Sequence, residues 1–99
     1  MKLSDKQLRF LRGRAHALKP VIQIGNNGLS PGVLAETRRA LADHELIKLR
    51  IQAADRAARD ALLAELVRAT GGALVTRIGH VAVLFQANRK LTKFPLPNV

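Results

Sequence analysis

The stretch Val21-Ile22-Gln23-Ile24-Gly25-Asn26-Asn27-Gly28-Leu29-Ser30-Pro31-Gly32-Val33-Leu34 decides how this chain folds. It opens on a β-branched run that reads as a short buried strand. Turn-forming residues then fill 25–32, with Ser30 placed to cap a helix and Pro31 to take its first position, where a missing N–H costs nothing. The helix that follows runs to about Asp43 and buries Val33, Leu34, Thr37, Ala40 and Leu41. Strand, glycine turn and helix in immediate succession imply an α/β domain.

Upstream, Ser4 and Gln7 have the spacing of a capping box, so a first helix starts there. Leu8, Leu11, Ala15 and Leu18 share one side of it, Lys2, Lys6, Arg9 and Arg12 gather on the opposite arc, and Pro20 ends it. Downstream, Leu46-Ile47-Lys48-Leu49-Arg50-Ile51 alternates as a half-buried strand does, one face apolar and the other cationic. Asp55 caps a third helix over 56–70 with Leu62, Leu63, Leu66 and Val67 inside, and Gly71-Gly72 stops it. Residues 73–78 and 81–85 read as two strands joined by the two-residue turn Gly79-His80. The order α-β-α-β-α-β-β predicts one small α/β domain over residues 1–86, a mixed four-stranded sheet packed with helices, and a basic C-terminal tail over 87–99.

Ninety-nine residues suit a single domain, and a hydrophobic content of 47% argues against disorder despite a net charge of +10. That charge is placed rather than spread: residues 1–19 and 87–99 carry eight of the ten. The tail contributes Arg89, Lys90 and Lys93, either as a segment that orders on a partner or as a frayed end. So much positive charge on a small body points to a polyanion, nucleic acid first. No apolar run reaches the roughly 20 residues of a membrane helix, and the N-terminus carries no signal-peptide pattern, so no membrane association and a cytoplasmic location are expected.

The absence of cysteine excludes disulfides, thiolate metal sites and thiol nucleophiles. His16, His44 and His80 stand apart from one another, and Lys48 occupies the place a second histidine would need in an H-E-x-x-H zinc helix. No metal, no cofactor, no small-molecule substrate and no catalytic cluster are expected. Gly25 to Gly28 forms a G-x-x-G loop between a strand and a helix N-terminus, where a phosphate can approach unshielded backbone N–H groups and the positive end of the helix dipole. By spacing alone the same residues describe any tight turn. The loop lacks the lysine of a P-loop and the third glycine of a dinucleotide fingerprint. The aromatic complement is only Phe10, Phe85 and Phe94, too few for a base-stacking sheet surface, which favours recognition of phosphate, 2′-OH and shape in a structured RNA.

Several segments together resemble a known family. Ala15-His16, Leu18-Lys19-Pro20-Val21, Gly25-Asn26-Asn27-Gly28-Leu29, Gly32-Val33-Leu34-Ala35-Glu36 and His44-Glu45-Leu46-Ile47-Lys48 are similar to the bacterial YhbY-like proteins, stand-alone CRM (chloroplast RNA splicing and ribosome maturation) domains. The likeness runs from the Leu3-Ser4 opening to the Gly79 hairpin and is weakest after Phe85. It implies a fold similar to the C-terminal domain of the third bacterial initiation factor, RNA binding, association with precursors of the large ribosomal subunit and a role in ribosome maturation. It maps the family's G-x-x-G loop onto Gly25, Asn26, Asn27 and Gly28; many such loops carry a basic residue between the glycines, where this chain has two asparagines.

The charge a phosphate needs must then come from neighbours: Lys19, Lys48, Arg50 and the first-helix bases Lys2, Lys6, Arg9 and Arg12. The reading is a non-enzymatic, monomeric RNA-binding module whose partner is structured ribosomal RNA or a pre-large-subunit particle. Its rivals are a protein-interaction module for an acidic ribosomal or translation factor and, on charge alone, a DNA-binding protein.

Overall fold

A computed structural model describes residues 2–25, 28–53, 55–87 and 96–97. Its elements are α1 (Asp5–Ala15), β1 (Pro20–Ile24), α2 (Pro31–His44), β2 (Leu46–Ile51), α3 (Arg56–Thr70), β3 (Ala73–Ile78) and β4 (Val81–Phe85), in the expected order. Each helix starts on the cap its sequence offers. Gln7 N donates to Ser4 Oγ at 3.2 Å while Ser4 N donates to Gln7 Oε1 at 3.0 Å, a reciprocal capping box. Val33 N donates to Ser30 Oγ at 3.1 Å, and Ala58 N to Asp55 Oδ1 at 2.8 Å. Gly71 stops α3 by taking a left-handed φ of 77°, which returns its N–H to the Val67 carbonyl.

The end of α2 uses no glycine. Glu45 adopts a φ of 63°, a sparsely populated region for a residue with a side chain. Its N–H donates to Leu41 O and its carbonyl accepts from Gln86 N, both at 2.9 Å, so backbone on either side holds this buried residue in place.

The four strands form one sheet in the order β1-β2-β4-β3, with β1 parallel to β2 and the other two pairings antiparallel. β1 is therefore an edge strand. The expectation that Val21-Ile22-Gln23-Ile24 is wholly buried is corrected: Ile22 and Ile24 enter the core, while Gln23 is exposed and Val21 keeps 54% of its surface. A strand flanked on one side only, on a sheet covered unevenly, buries alternate residues and not the whole run.

Strand alternation divides the core in two. On one face Ile22, Ile24, Ile47, Leu49, Ile51, Ala82 and Leu84 meet Leu41 of α2 and Leu63 and Leu66 of α3. On the other, Leu46, Val75, Val83 and Phe85 meet Leu11 and Ala15 of α1, with Phe10 at the margin. Leu96 joins this second cluster, and Gln7 Nε2 donates to Pro97 O at 3.1 Å, so the end of the described chain returns to α1. The tail bases Arg89, Lys90 and Lys93 lie outside the described residues.

Register sets what meets at each end of the sheet. Ile24 and Ile51 are partners, Gln52 N donates to Ile24 O at 2.8 Å and Ile51 N to His80 O at 2.7 Å. The loop after β1, the loop after β2 and the β3–β4 turn thus share one end. The starts of β2 and β3, at Leu46 and Ala73, both face Phe85 at the other. Among the described residues no helix is long and apolar enough to cross a membrane.

Candidate functional site

α1 covers its sheet face only in part. Leu46, Lys48 and Arg50 alternate onto that face; α1 buries Leu46 and leaves Arg50 exposed, with Lys48 half-buried between them. Arg50 lies opposite Val81 on one side and Gln23 on the other, and Lys48 opposite Val83. Thr76 and Ile78 pair with Val83 and Val81, which brings both onto the same uncovered half.

Between the C-terminal turn of α1 and this open sheet runs a cleft of about 120 Å³. Arg12, Ala15 and His16 line it from the helix, and Lys48, Thr76, Ile78, Val81 and Val83 line it from the sheet. A second groove along β1 is lined by Lys19, Val21, Gln23 and Arg50, and a third, holding Lys19, His44 and Lys48, joins the two. Among the described residues no acidic side chain lines any of the three. Cations clustered along low-dielectric walls focus a positive potential there.

The glycine loop stands at the end of β1, next in sequence to Gln23 and Ile24. Its two glycines differ. Gly28 has a φ of 69° and needs the freedom that only glycine has in full, whereas a Cβ at Gly25 would meet nothing within 4 Å. Gly28 N donates to Gly25 O at 3.1 Å, which closes a turn. The expectation that backbone N–H groups across the whole loop face a phosphate is corrected at Gly28, whose N–H is spent inside the turn. The start of α2 is also largely satisfied, because Val33 N donates to Ser30 Oγ, Leu34 N to Ser30 O, and Pro31 has no N–H. Gly32 remains as the first-turn N–H that no described residue takes up. Asn26 and Asn27 lie outside the described residues.

Of the cations singled out by the sequence, Arg12, Lys19, Lys48 and Arg50 converge on the open half-sheet. Lys6 and Arg9 are exposed on α1 but line none of these grooves. Lys2 sits beside Arg68, Gly71 and Leu74, at the start of β3 and so at the far end of the sheet. Sequence reasoning missed His16, Thr76, Ile78 and Val81. The last three were available from the hairpin: with the turn fixed at 79–80, Ile78 faces Val81, and their shared face follows once the pairing with β2 is known.

His80 Nδ1 lies 3.1 Å from the Ile51 carbonyl and fastens the hairpin turn to β2. Among the described residues no group of three His, Asp or Glu side chains stands close enough to hold a metal ion.

Residues 3–86 match the CRS1 / YhbY (CRM) domain model. The chain is 46% identical over 95 residues to a protein of Haemophilus influenzae named RNA-binding protein, covering 96% of this chain and 95% of the relative. It is 44% identical over 93 residues to Probable RNA-binding protein PA4753 of Pseudomonas aeruginosa, covering 94% of this chain and 89% of that one. It also superimposes on the solution structure of the Staphylococcus aureus protein SAV1595 with a TM-score of 0.84 at 30% identity, over 97% of this chain and all of the other. With the family model spanning nearly all of its folded residues, this chain belongs to the CRS1/YhbY (CRM) domain family.

Proposed function

We propose that this protein is a non-enzymatic RNA-binding module that associates with precursor large-subunit ribosomal RNA and assists maturation of the particle. One observation carries the binding reading: Arg12, Lys19, Lys48 and Arg50, from a helix, a connecting segment and a strand, converge on a surface with no acidic lining among the described residues. Relatives named for RNA binding support the choice of nucleic acid, and the likeness to YhbY-like proteins supports the ribosomal destination. The Gly25–Gly28 turn and the Gly32 N–H at the start of α2 supply close backbone approach for a phosphate. The four cations supply attraction from a distance, so affinity falls steeply with salt.

The experiment is Gly25→Asp, read by RNA affinity and by a thermal melt of the same protein. Open space around Gly25 lets the variant fold, and the new carboxylate repels phosphate. Weaker binding by a protein with an unchanged melt supports the loop contact; unchanged binding removes it. Comparing precursor ribosomal RNA, duplex RNA and duplex DNA at fixed salt separates the ribosomal destination from general affinity for polyanions.

A further inference from the structure

The geometry points to a seat for one unstacked RNA base on the aliphatic floor formed by Ile78, Val81 and Thr76, with that nucleotide's phosphate held by Arg12 and Lys48. This inference rests on the RNA-binding reading and adds what that reading lacks, a contact to a base.

Ile78 is the starting observation. It keeps 75% of its surface exposed, more than Val21 or Leu74, in a strand whose neighbour Arg77 is mostly buried. One exposed isoleucine needs no explanation. Ile78 is not isolated, since Val81 lies directly opposite it in the hairpin and both line the cleft below Arg12, His16 and Lys48. The surface is therefore apolar at its floor and cationic at its rim. A nucleotide has the matching division, a flat apolar base and an anionic phosphate.

Charge selects the occupant. Arg12 of α1 and Lys48 of β2 both line the cleft, with no carboxylate among its described lining residues, which suits an anionic phosphate. The chain's poverty in aromatic residues argued against base stacking. It does not argue against this seat, because an aliphatic shelf buries a base face through the hydrophobic effect without ring stacking.

The test compares binding of a ten-nucleotide oligoadenylate with that of an abasic ribose-phosphate decamer of equal charge. The wild-type protein is expected to prefer the base-bearing decamer by about fivefold, and Ile78→Ala to abolish that preference while leaving the salt slope and the melt unchanged, the scale of one or two methylene groups left in water. Ile78→Phe should strengthen the preference by about fivefold through true stacking. Equal affinity of the wild type for both decamers, with Ile78→Ala binding both as well, overturns the seat and leaves RNA binding by the cations intact. Failure of the wild type to bind either decamer overturns the seat, and failure to bind precursor ribosomal RNA in the same assay overturns the RNA reading itself. Tighter, Ile78-dependent binding of a Glu-rich decapeptide carrying one leucine overturns the inference in favour of an acidic protein partner.

Discussion

Arg77 Nε lies 2.8 Å from Asp60 Oδ1, and this ion pair ties β3 to α3 across the sheet face opposite the candidate site. Arg77 Nη1 also donates to Gly79 O at 3.3 Å, so one side chain anchors both the helix and the hairpin turn. Because strand residues alternate, an Arg77 turned towards α3 turns Thr76 and Ile78 the other way, onto the open floor. Only 16% of the Arg77 side chain is exposed, whereas Asp60 is half exposed, which places the pair between a surface and a buried salt bridge.

That arrangement separates charge from position. Arg77→Met and Lys48→Met remove the same charge. Arg77→Met is expected to lower stability by about 1 kcal/mol, discounted for the exposure of Asp60, and to leave RNA affinity almost unchanged. Lys48→Met is expected to do the reverse: a melt close to wild type and RNA binding weakened, with a salt slope shallower by about 0.7. Paired denaturation and salt-titration curves check both.

The two glycines of the loop should respond differently to alanine. Gly28→Ala forces a side chain into a left-handed backbone and is expected to cost about 1–2 kcal/mol. Gly25→Ala adds a Cβ in open space and, without a positive φ to strain it, should be neutral or slightly stabilising. Urea denaturation of the two variants measures the difference directly.

The sequence put Arg12 and Lys2 on one basic arc, but Lys2 precedes the N-cap of α1 while Arg12 lies in its last turn, and only Arg12 reaches the open half-sheet. Arg12→Gln should reduce the salt slope of RNA binding by about 0.7, and Lys2→Gln should leave it unchanged. Equal effects from the two would mean that net charge, and not its placement, controls binding.

Gln7 carries two duties. It closes the capping box with Ser4 and donates to Pro97 O, fastening the returning chain to α1. Gln7→Ala is expected to cost about 1 kcal/mol, most of it from the cap, and to raise protease sensitivity after Gln86. Limited proteolysis beside a melt distinguishes the two contributions.

The elements of this fold were legible because their signals are local. Ser4, Ser30 and Asp55 cap helices wherever the chain places them, Gly71 stops one, and Gly79-His80 turns a hairpin, so the order could be read residue by residue. The strand order β1-β2-β4-β3 was not legible, since it depends on which distant apolar faces find each other. The exposure of Val21 followed from that order, and so did the half-sheet left uncovered by α1. Lys48 and Arg50 were legible as a cationic face through their spacing of two. Ile78 was not, because an isoleucine in a strand reads as core until the helix that ought to cover it is located elsewhere. The Gly28 N–H was misjudged for a related reason: a G-x-x-G sequence does not disclose whether its turn closes on itself.

Amide chemical shifts during titration with precursor large-subunit ribosomal RNA fragments measure directly where RNA touches this protein. Perturbations are expected at Gly25, Gln23, Lys48, Arg50, Thr76 and Ile78, fading as salt rises. Perturbations confined to the outer surfaces of α2 and α3, at Arg38, Arg39 and Arg68, would contradict the proposed interface.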